Sequence, residues 1–379
     1  MSKQILSIGI VAGEESGDRL GAALITEIKS FYPKATFRGM AGPQMLLKGC
    51  TAEASITELS VMGLVEVVRN WPRLSRLRDR LIKSFVDDPP DVFIGIDVPD
   101  FNLYIEKKLK AEGIPTVHYV CPQIWAWREN RARKLRESTD RLLAIFPFEQ
   151  VFFQKHGINT EFVGHPLARE LPFCPNKVDA KVALGLDKDK AVIAIMPGSR
   201  LQEITSHLPV FVEAAKIVVK STEGTQVVIG VVNSYHNEVA QAVCKGSGFD
   251  VHVRNSRELL TAADAAIVAS GTVTLEALLC RTPMVVGYRM SPVSYYFLKR
   301  LITIDKIALP NILSNSDLVP EYIQSEMTPE NLSRKVLQYF ANKKNIDAFS
   351  RSAEAIHLSL VNNTENAGDV VCKLIKNGR

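Results

Sequence analysis

Short apolar runs rich in valine and isoleucine alternate along the chain with longer segments whose apolar residues recur at helical spacing. In the first half the runs are ILSIGIVAG, DVFIGID and TVHYVCP, and the segments DRLGAALITEIKSF and FNLYIEKKLKAEG lie between them. Each run ends at a glycine, a proline or an acidic residue. This alternation predicts parallel strands joined by helices.

The alternation starts again after the proline-bearing stretch LPFCPNKVDA. The apolar runs there are AVIAIMPGSR, TQVVIGVV, AAIVASG and PMVVGYR, and the helical segments include LPVFVEAAKIVVK and TLEALLC. We therefore predict an α/β fold with two Rossmann-like, doubly wound parallel-sheet domains facing a cleft. The expected domains are residues 1–168 and 169–345, with the boundary near residues 168–178.

Composition narrows the functional class. The 379 residues are 46% hydrophobic and 23% charged, which is typical of a soluble globular protein. No apolar run reaches the roughly 18 residues of a membrane-spanning helix, and the N-terminal run leads directly into a glycine-and-acid turn. We expect neither a cleaved signal nor an anchor. The net charge of +5 permits an anionic partner without indicating nucleic acid.

The six cysteines lie far apart and show neither metal-ligand nor redox spacing. This favours a reducing cytoplasm and predicts no metal site. The cysteines are Cys50, Cys121, Cys174, Cys244, Cys280 and Cys372.

The motif MPGSRLQEI is a candidate anion site because ligands of open parallel sheets lie beyond the carboxyl ends of the strands. Gly198 and Ser199 offer backbone N–H groups at the start of a helix, and Arg200 offers a guanidinium matched to phosphate oxygens. An ordinary strand-to-helix turn with a surface arginine explains the same residues equally well.

A second candidate helix start lies in ASGTVTLEALL. Ser270, Gly271 and Thr272 can hold phosphate oxygens, and Glu276, one helical turn later, can accept the two hydroxyls of a ribose. A capping box is the alternative, although Glu276 is one residue late for Thr272. Together the two motifs predict a nucleoside-diphosphate site. Since no Asp-x-Asp pair accompanies them, Arg200 and the helix dipoles would neutralise the charge.

The turn AGEESGDRLG lacks the G-x-G-x-x-G spacing of a dinucleotide site. Gly13 and Gly17 suit close approach of a neutral sugar or of the opposite domain. Ser16 or Asp18 is expected to cap the following helix.

The stretch VCPQIWAWR holds two of the three tryptophans. If it is extended, Gln123, Trp125 and Trp127 share one face, which suits an amphipathic ligand.

In this order, AGEESGDRLG, IDVPDFN, VCPQIWAWR, FVGHPL, MPGSR, ASGTVTLEALL, PMVVGYRM and LPNIL resemble the lipid-A-disaccharide synthases, which are GT-B glycosyltransferases. The resemblance covers about residues 9–313. It implies inverting transfer from UDP-2,3-diacylglucosamine to 2,3-diacylglucosamine 1-phosphate, giving a β-1′,6 disaccharide and UDP, with no cofactor. It also implies that helices in residues 346–379 return to the N-terminal half.

The resemblance assigns roles to several residues. Such a displacement needs a base near the acceptor oxygen, and Asp97 is preferred because it ends the strand VFIGI. Asp100 is the alternative base or a helix cap. Arg200 would stabilise the departing UDP, while Asn311 would contact donor or acceptor or simply follow the turn at Pro310.

The acceptor side of the site is assigned to the tryptophan stretch. Trp125 and Trp127 would line it, with Arg128 or Arg131 near the 1-phosphate. The alternative is that both indoles pack inside the N-terminal domain.

Residues 61–85 interleave apolar and cationic side chains at helical spacing beyond Pro72. With an acylated substrate, this pattern predicts a helix on an anionic membrane, and hence a cytoplasmic protein peripherally bound to the inner face of the cytoplasmic membrane. A core-facing helix with a solvated basic face is the alternative. The membrane or acyl-chain candidates are Val65, Val68, Trp71, Leu74, Leu77, Arg73 and Arg76.

Three other functions fit the same motifs. One is a GT-B transferase that uses another UDP-sugar and a polyprenyl-linked acceptor. A second is a non-catalytic sugar-nucleotide-binding protein that docks on membranes, and a third is a UDP-sugar epimerase. The oligomeric state, including a homo-oligomer, is left open.

Overall fold

A computed structural model describes residues 5–60, 64–126, 132–253, 256–291, 295, 305–361 and 365–377, with the backbone alone described at 60, 64–71, 125 and 126. The chain divides into two compact units. One comprises Met1–Pro166 and Leu360–Arg379, and the other comprises Leu167–Ser359.

The first unit contains a seven-stranded sheet in which every pair of neighbouring strands is parallel. The strand order is β3-β2-β1-β4-β5-β6-β7. The strands are β1 (Ser7–Ala12), β2 (Thr36–Ala41), β3 (Cys50–Ser55), β4 (Val92–Ile96), β5 (Thr116–Tyr119), β6 (Arg141–Ala144) and β7 (Thr160–Phe162).

Helices connect these strands, and a further short helix follows the last strand and lies mostly in the second unit. They are α1 (Glu15–Phe31), α2 (Pro43–Leu47), α3 (Thr57–Ser60), α4 (Leu64–Asp87), α5 (Pro99–Ala111), α6 (Ala132–Ser138), α7 (Pro147–Lys155) and α8 (Pro166–Glu170).

The second unit contains a six-stranded sheet, again with parallel neighbours throughout. Its order is β10-β9-β8-β11-β12-β13. The strands are β8 (Val192–Met196), β9 (Gln226–Val231), β10 (Asp250–Val253), β11 (Ala265–Val268), β12 (Met284–Tyr288) and β13 (Glu321–Ile323).

The remaining helices accompany this sheet or follow it. They are α9 (Lys177–Ala183), α10 (Leu201–Ser221), α11 (Ser234–Cys244), α12 (Ser256–Ala262), α13 (Thr272–Leu279), α14 (Leu309–Ser314), α15 (Pro329–Ala341), α16 (Lys343–Val361) and α17 (Ala367–Asn377).

The two sheets confirm the predicted pair of doubly wound parallel-sheet domains. Strands β4 and β8 are buried at every position. This explains their unbroken apolar runs, because helices cover both faces of such a sheet. The strand order changes direction between β1 and β4 in the first sheet and between β8 and β11 in the second.

The end of the chain belongs to both units. Residues up to Ser359, which include most of α16, lie in the second unit. Helix α17 lies in the first unit against α1, where the Gly368 N–H donates to Glu27 Oε2 at 2.9 Å.

Candidate functional site

The candidate residues cluster in loops that follow four strands. Residues 13–18 follow β1, Asp97 follows β4, residues 197–200 follow β8 and residues 269–272 follow β11. These strands flank the two points where the strand order changes direction. Doubly wound sheets bind ligands beyond the carboxyl ends of strands at such points. Each unit therefore carries a candidate site of its own.

Asp97 comes directly after β4 and is half-buried. Its φ is 53° and that of Val98 is 43°, so two consecutive non-glycine residues are left-handed. Each such residue costs on the order of 1–3 kcal/mol, and such strain is concentrated at functional sites. The Asp97 N–H donates to the Tyr119 carbonyl at 2.9 Å, and Asp97 Oδ1 accepts the Val98 N–H at 2.8 Å.

Asp100 is not a helix cap, contrary to expectation. Helix α5 begins at Pro99 and its N-cap is Val98, so the exposed Asp100 is the second helical residue. The helix begins two residues earlier than expected because Pro99, whose fixed φ suits the first helical turn, is its first residue. A carboxylate there still interacts favourably with the helix dipole.

Gly13 and Gly17 allow close packing inside the first unit. A Cβ added to Gly13 would lie 2.6 Å from Val98 Cγ2, so the loop after β1 contacts the left-handed turn after β4 directly. A Cβ on Gly17 would lie 3.4 Å from the Ala12 Cβ and 3.6 Å from Ile96 Cγ2. The structure thus gives Gly13 a packing role, and sugar contact at both glycines stays a prediction.

The predicted capping of α1 by Ser16 or Asp18 is wrong. The N-cap residue is Glu14, whose side chain makes no capping hydrogen bond. Ser16 is exposed, whereas Asp18 is buried and caps α2 instead. The Asp18 carboxylate accepts three backbone N–H groups, from Gly42, Gln44 and Met45, at 2.8–3.0 Å.

The stretch around the tryptophans is not extended over its first part. Gln123–Ala126 forms a 3₁₀ helix, so the predicted alternation of side chains is wrong there. The Trp125 side chain, Trp127, Arg128 and Arg131 lie outside the described residues, and their acceptor role stays a prediction. Burial raises the pKa of the neighbouring Cys121 thiol well above its ordinary value, which disfavours a nucleophilic thiolate.

In the second unit, a carboxylate already occupies the N-terminus of α10. Glu203 Oε2 accepts the backbone N–H groups of Ser199 at 3.0 Å and of Arg200 at 3.2 Å. Gly198 has a φ of 124°, and a Cβ there would lie 2.5 Å from Glu203 Oε2. The expectation that the Ser199 N–H is available to phosphate is therefore wrong for this structure. The carboxylate three residues after Arg200 matches capping-box spacing, a signal present in the sequence.

Arg200 itself remains accessible. Its side chain is 78% exposed, and Nη1 lies 3.0 Å from Glu203 Oε1. Glu203 thus both closes the loop and holds the guanidinium at the end of β8. Anion binding by the exposed Arg200 side chain stays a prediction.

His207 contacts the backbone of the same loop. Its Nδ1 lies 2.8 Å from the Pro197 carbonyl oxygen, and its Nε2 accepts the Arg289 N–H at 3.0 Å. The imidazole thus links the loop after β8 to the backbone of Arg289, whose N and O atoms both lie 3.0 Å from Nε2. His207 is fully buried, and sequence reasoning missed it because both partners are fixed only by the fold.

The start of α13 offers open backbone donors. Gly271 is the N-cap with a φ of 150°, and nothing lies within 4 Å of a Cβ built on it. Gly271 and Thr272 are exposed, and the first N–H groups of a helix have no intrahelical acceptor. This helix start is therefore the more accessible of the two predicted anion sites.

Ser270 and Glu276 are both engaged within the second unit. Ser270 Oγ donates to the Ile307 carbonyl at 2.9 Å, so its hydroxyl proton holds the loop before α14. Glu276 is half-buried and accepts a short hydrogen bond from Ser256 Oγ. Ser256 is a further residue of the candidate site in the second unit that the sequence did not indicate.

Asn311 is a structural residue, which corrects its assignment as a ligand contact. It is 2% exposed, and its Oδ1 accepts the Val319 N–H at 2.8 Å. Its Nδ2 donates to the Val319 carbonyl at 2.8 Å and to Glu321 Oε1 at 2.7 Å. The two Nδ2 hydrogens are thus used. Asn311 lies inside α14 and holds that helix to Val319 and Glu321, so it is not a turn residue after Pro310 either.

Comparison with known proteins decides the family. Residues 8–371 match the sequence profile of the lipid-A-disaccharide synthetase family. This chain belongs to that family. Lipid-A-disaccharide synthase of Haemophilus influenzae strain PittEE is 44% identical over 346 residues, covering 90% of this chain and 89% of its own. The Vibrio parahaemolyticus enzyme of the same name is 41% identical over 377 residues, covering 98% and 99%.

Solved structures agree on the fold alone. A UDP-GlcNAc 2-epimerase from Neisseria meningitidis bound to UDP-GlcNAc superposes with a TM-score of 0.66 at 12% identity, covering 99% of this chain and 100% of its own. WaaG, a glycosyltransferase involved in lipopolysaccharide biosynthesis, gives 0.56 at 13% identity, covering 98% and 99%.

Helix α4 of this family member buries its apolar side chains in the first unit. Leu74 is 8% exposed, Leu77 is 5% exposed, and Leu81 and Phe85 are fully buried. Leu77 belongs to the same core cluster as Phe93. The expectation that Leu74 and Leu77 meet a membrane or an acyl chain is therefore wrong, since both complete the core. The Val65, Val68 and Trp71 side chains lie outside the described residues.

The opposite face of α4 is cationic. Arg73, Arg76, Arg80 and Lys83 are exposed. Arg73 Nη2 donates to the Glu58 carbonyl at 2.8 Å, and Arg76 Nε donates to the Pro72 carbonyl at 3.2 Å. Among the helices in the described ranges, none is long and apolar enough to cross a membrane.

Proposed function

We propose that this chain transfers a 2,3-diacylglucosamine unit from UDP to the 6-hydroxyl of 2,3-diacylglucosamine 1-phosphate. The product is the β-1′,6-linked lipid A disaccharide 1-phosphate, and UDP is released. The observation that carries the proposal is the family match over residues 8–371, together with a carboxylate at the carboxyl end of β4.

Asp97 acts as the general base in this reaction. Its strained backbone and its place at the switch point of the first sheet support the role. The carboxylate takes the proton from the attacking 6-hydroxyl while UDP leaves from the opposite face of the sugar. A positioned base contributes about 10²–10⁴-fold to such a step.

UDP occupies the candidate site of the second unit. Thr272 and the backbone at Gly271 receive the phosphates, because this helix start is exposed and sterically open. Glu276 accepts the ribose hydroxyls beside Ser256. Arg200 neutralises the charge that develops on the departing phosphate, and its exposure supports that role.

The exposed cations of α4 attract the anionic inner face of the cytoplasmic membrane, where both acylated sugars reside. Arg73, Arg76 and Lys83 are exposed, while the leucines of the same helix lie in the core. Docking here is therefore electrostatic and does not require insertion of the described apolar face. Each such charge contributes about 1 kcal/mol near an anionic surface.

The test is UDP release from UDP-2,3-diacylglucosamine with and without the monosaccharide 1-phosphate. Wild type is compared with Asp97→Asn and Arg200→Ala. We expect acceptor-dependent release that falls by about 10²-fold or more in both variants. Asp100→Asn and Arg334→Ala are matched controls, since both residues are exposed on the same units.

Each outcome has a separate meaning. UDP release that does not depend on acceptor would contradict disaccharide synthesis. Full activity in Asp97→Asn would remove the proposed base, while loss in Asp100→Asn alone would move that role to Asp100.

A further inference from the structure

The turn at the end of β4 is left-handed at two consecutive residues. Both Asp97 and Val98 have positive φ, and Val98 is β-branched, which makes this conformation especially unfavourable. Such a turn persists only where the surrounding structure determines it. The groups that hold the turn therefore also determine where the Asp97 carboxylate lies.

Asn102 makes the contacts that hold this turn. It is fully buried, and its Nδ2 lies 2.8 Å from the Asp97 carbonyl oxygen and 3.1 Å from that of Ile96. A third carbonyl, that of Val11 at the end of β1, lies 3.4 Å away. One side-chain amide thus ties the turn to the two strands at the switch point.

A buried acid and a buried histidine lie behind Asn102. Glu106 follows Asn102 by four residues on α5, so the two side chains occupy the same face of the helix. Glu106 Oε1 lies 2.6 Å from His118 Nδ1, and both side chains are fully buried. A Cβ on Gly95 would lie 2.2 Å from Glu106 Oε1 and 2.9 Å from the Asn102 Cβ. Gly95 therefore provides the space that both side chains share.

Two oxygen atoms of this cluster are buried without a partner among the described residues. They are Asn102 Oδ1 and Glu106 Oε2. Burial removes the hydrogen bonds that an unpartnered polar atom would make with water, so two such acceptors on adjacent turns are unfavourable together. Burial raises the pKa of Glu106, against the opposing effect of His118. When Glu106 is protonated at Oε2, that atom becomes a hydrogen-bond donor, and only Asn102 Oδ1 of the two remains an acceptor.

We propose that Asn102 is a positioning residue for Asp97, and that the neutral carboxyl of Glu106 fixes the Asn102 amide. Glu106 Oε2 carries the proton and donates to Asn102 Oδ1, while Oε1 accepts the Nδ1 proton of His118. Asn102 Nδ2 is then oriented toward the carbonyls of Asp97 and Ile96. The inference rests on the proposed role of Asp97 as the base.

The test measures kcat and the donor KM of the full chain in the acceptor-dependent UDP-release assay. Asn102→Leu removes the amide, and we expect kcat to fall by on the order of 10²-fold, since misplacing a reacting group by about 1 Å costs that much. The donor KM should change by no more than about twofold. Thr116→Val is the matched control. Thr116 lies on β5, the strand that also carries His118, and the change removes a buried hydroxyl that donates to Asp140 Oδ2.

The Glu106 variants provide a second, independent readout. Glu106→Gln has a donor where the neutral carboxyl has its proton, so we expect kcat within about threefold of wild type. Glu106→Leu has no donor and should lose about tenfold or more. A purely structural role would reduce the amount of folded protein and leave the kcat of the folded fraction unchanged, with circular dichroism reporting that fraction.

The outcomes separate this inference from the proposed function. Folded Asn102→Leu with the kcat of Thr116→Val would overturn the positioning role. Equal loss in Glu106→Gln and Glu106→Leu would overturn the neutral carboxyl. If Asn102→Leu does not fold, the two Glu106 variants decide, and wild-type kcat in Glu106→Leu overturns the inference. Retained activity in Asp97→Asn would instead overturn the proposed base.

Discussion

Replacing Leu77 by alanine distinguishes a core residue from a membrane contact. Leu77 is 5% exposed and packs in the cluster that contains Leu81 and Phe85. The change removes about three methylene equivalents at about 0.8 kcal/mol each and leaves a cavity. We therefore expect unfolding of the first unit to become about 3 kcal/mol easier. For a unit of this size, this corresponds to a fall in Tm of roughly 6–12 °C.

The assay pairs thermal unfolding with binding to vesicles. Circular dichroism follows unfolding, and sedimentation with vesicles that contain anionic lipid follows binding at a temperature where both proteins are folded. The Leu77→Ala protein should bind vesicles as wild type does, because its side chain does not reach the surface.

Arg76→Ala is the matched control one residue away. Its exposed side chain should change stability by no more than about 0.5 kcal/mol. Vesicle binding should weaken about fivefold, as expected for the loss of one charge near the surface. The reasoning is refuted if Leu77→Ala keeps the wild-type Tm and loses vesicle binding.

Three further changes test other contacts. Asp18→Ala should lower the free energy of unfolding by about 3 kcal/mol, because three N–H groups lose their acceptor. The exposed control Glu15→Ala should leave it unchanged, and thermal unfolding of both variants measures the difference. Gly198→Ala should reduce UDP release at least about tenfold by displacing the loop. Gly185→Ala also strains a positive-φ position, but its Cβ meets no described atom within 4 Å, so it should keep the wild-type rate. Burial lowers the pKa of His357 below its ordinary 6.5, so the neutral form is favoured in the folded state. Below pH 6.5 the unfolded chain binds a proton at His357 more readily than the folded chain does, so the folded state loses stability as the pH falls. Between pH 7.5 and 5.5, Tm should therefore fall more in wild type than in His357→Gln.

The sequence predicted the strands of both sheets well because parallel strands covered on two faces are unbroken apolar runs. The runs VFIGI and AVIAIM correspond to β4 and β8, and the residues that follow them lie at the carboxyl ends of strands. The position of Asp97 at the end of its strand followed from this local pattern. The same was true of Gly271 and Thr272 at the start of α13.

Several contacts of the candidate site could not be predicted in this way. Asp18 caps a helix that begins 25 residues later, and His207 pairs with the backbone of Arg289. The leucines of α4 have the same spacing whether they face a core or a membrane, since periodicity defines an apolar face and not what covers it.

The sequence by itself determined the fold class, the family and the loops in which chemistry-bearing residues lie, because these depend on periodicity and on motif order along the chain. Only the tertiary structure decided which of those residues are already satisfied by other parts of the protein. In the folded chain Asn311 bonds Val319, the Ser199 N–H donates to Glu203, and leucines of α4 lie in the core. The physical reason is that hydrogen bonding and burial are properties of neighbours in space, and those neighbours become defined only when the chain folds.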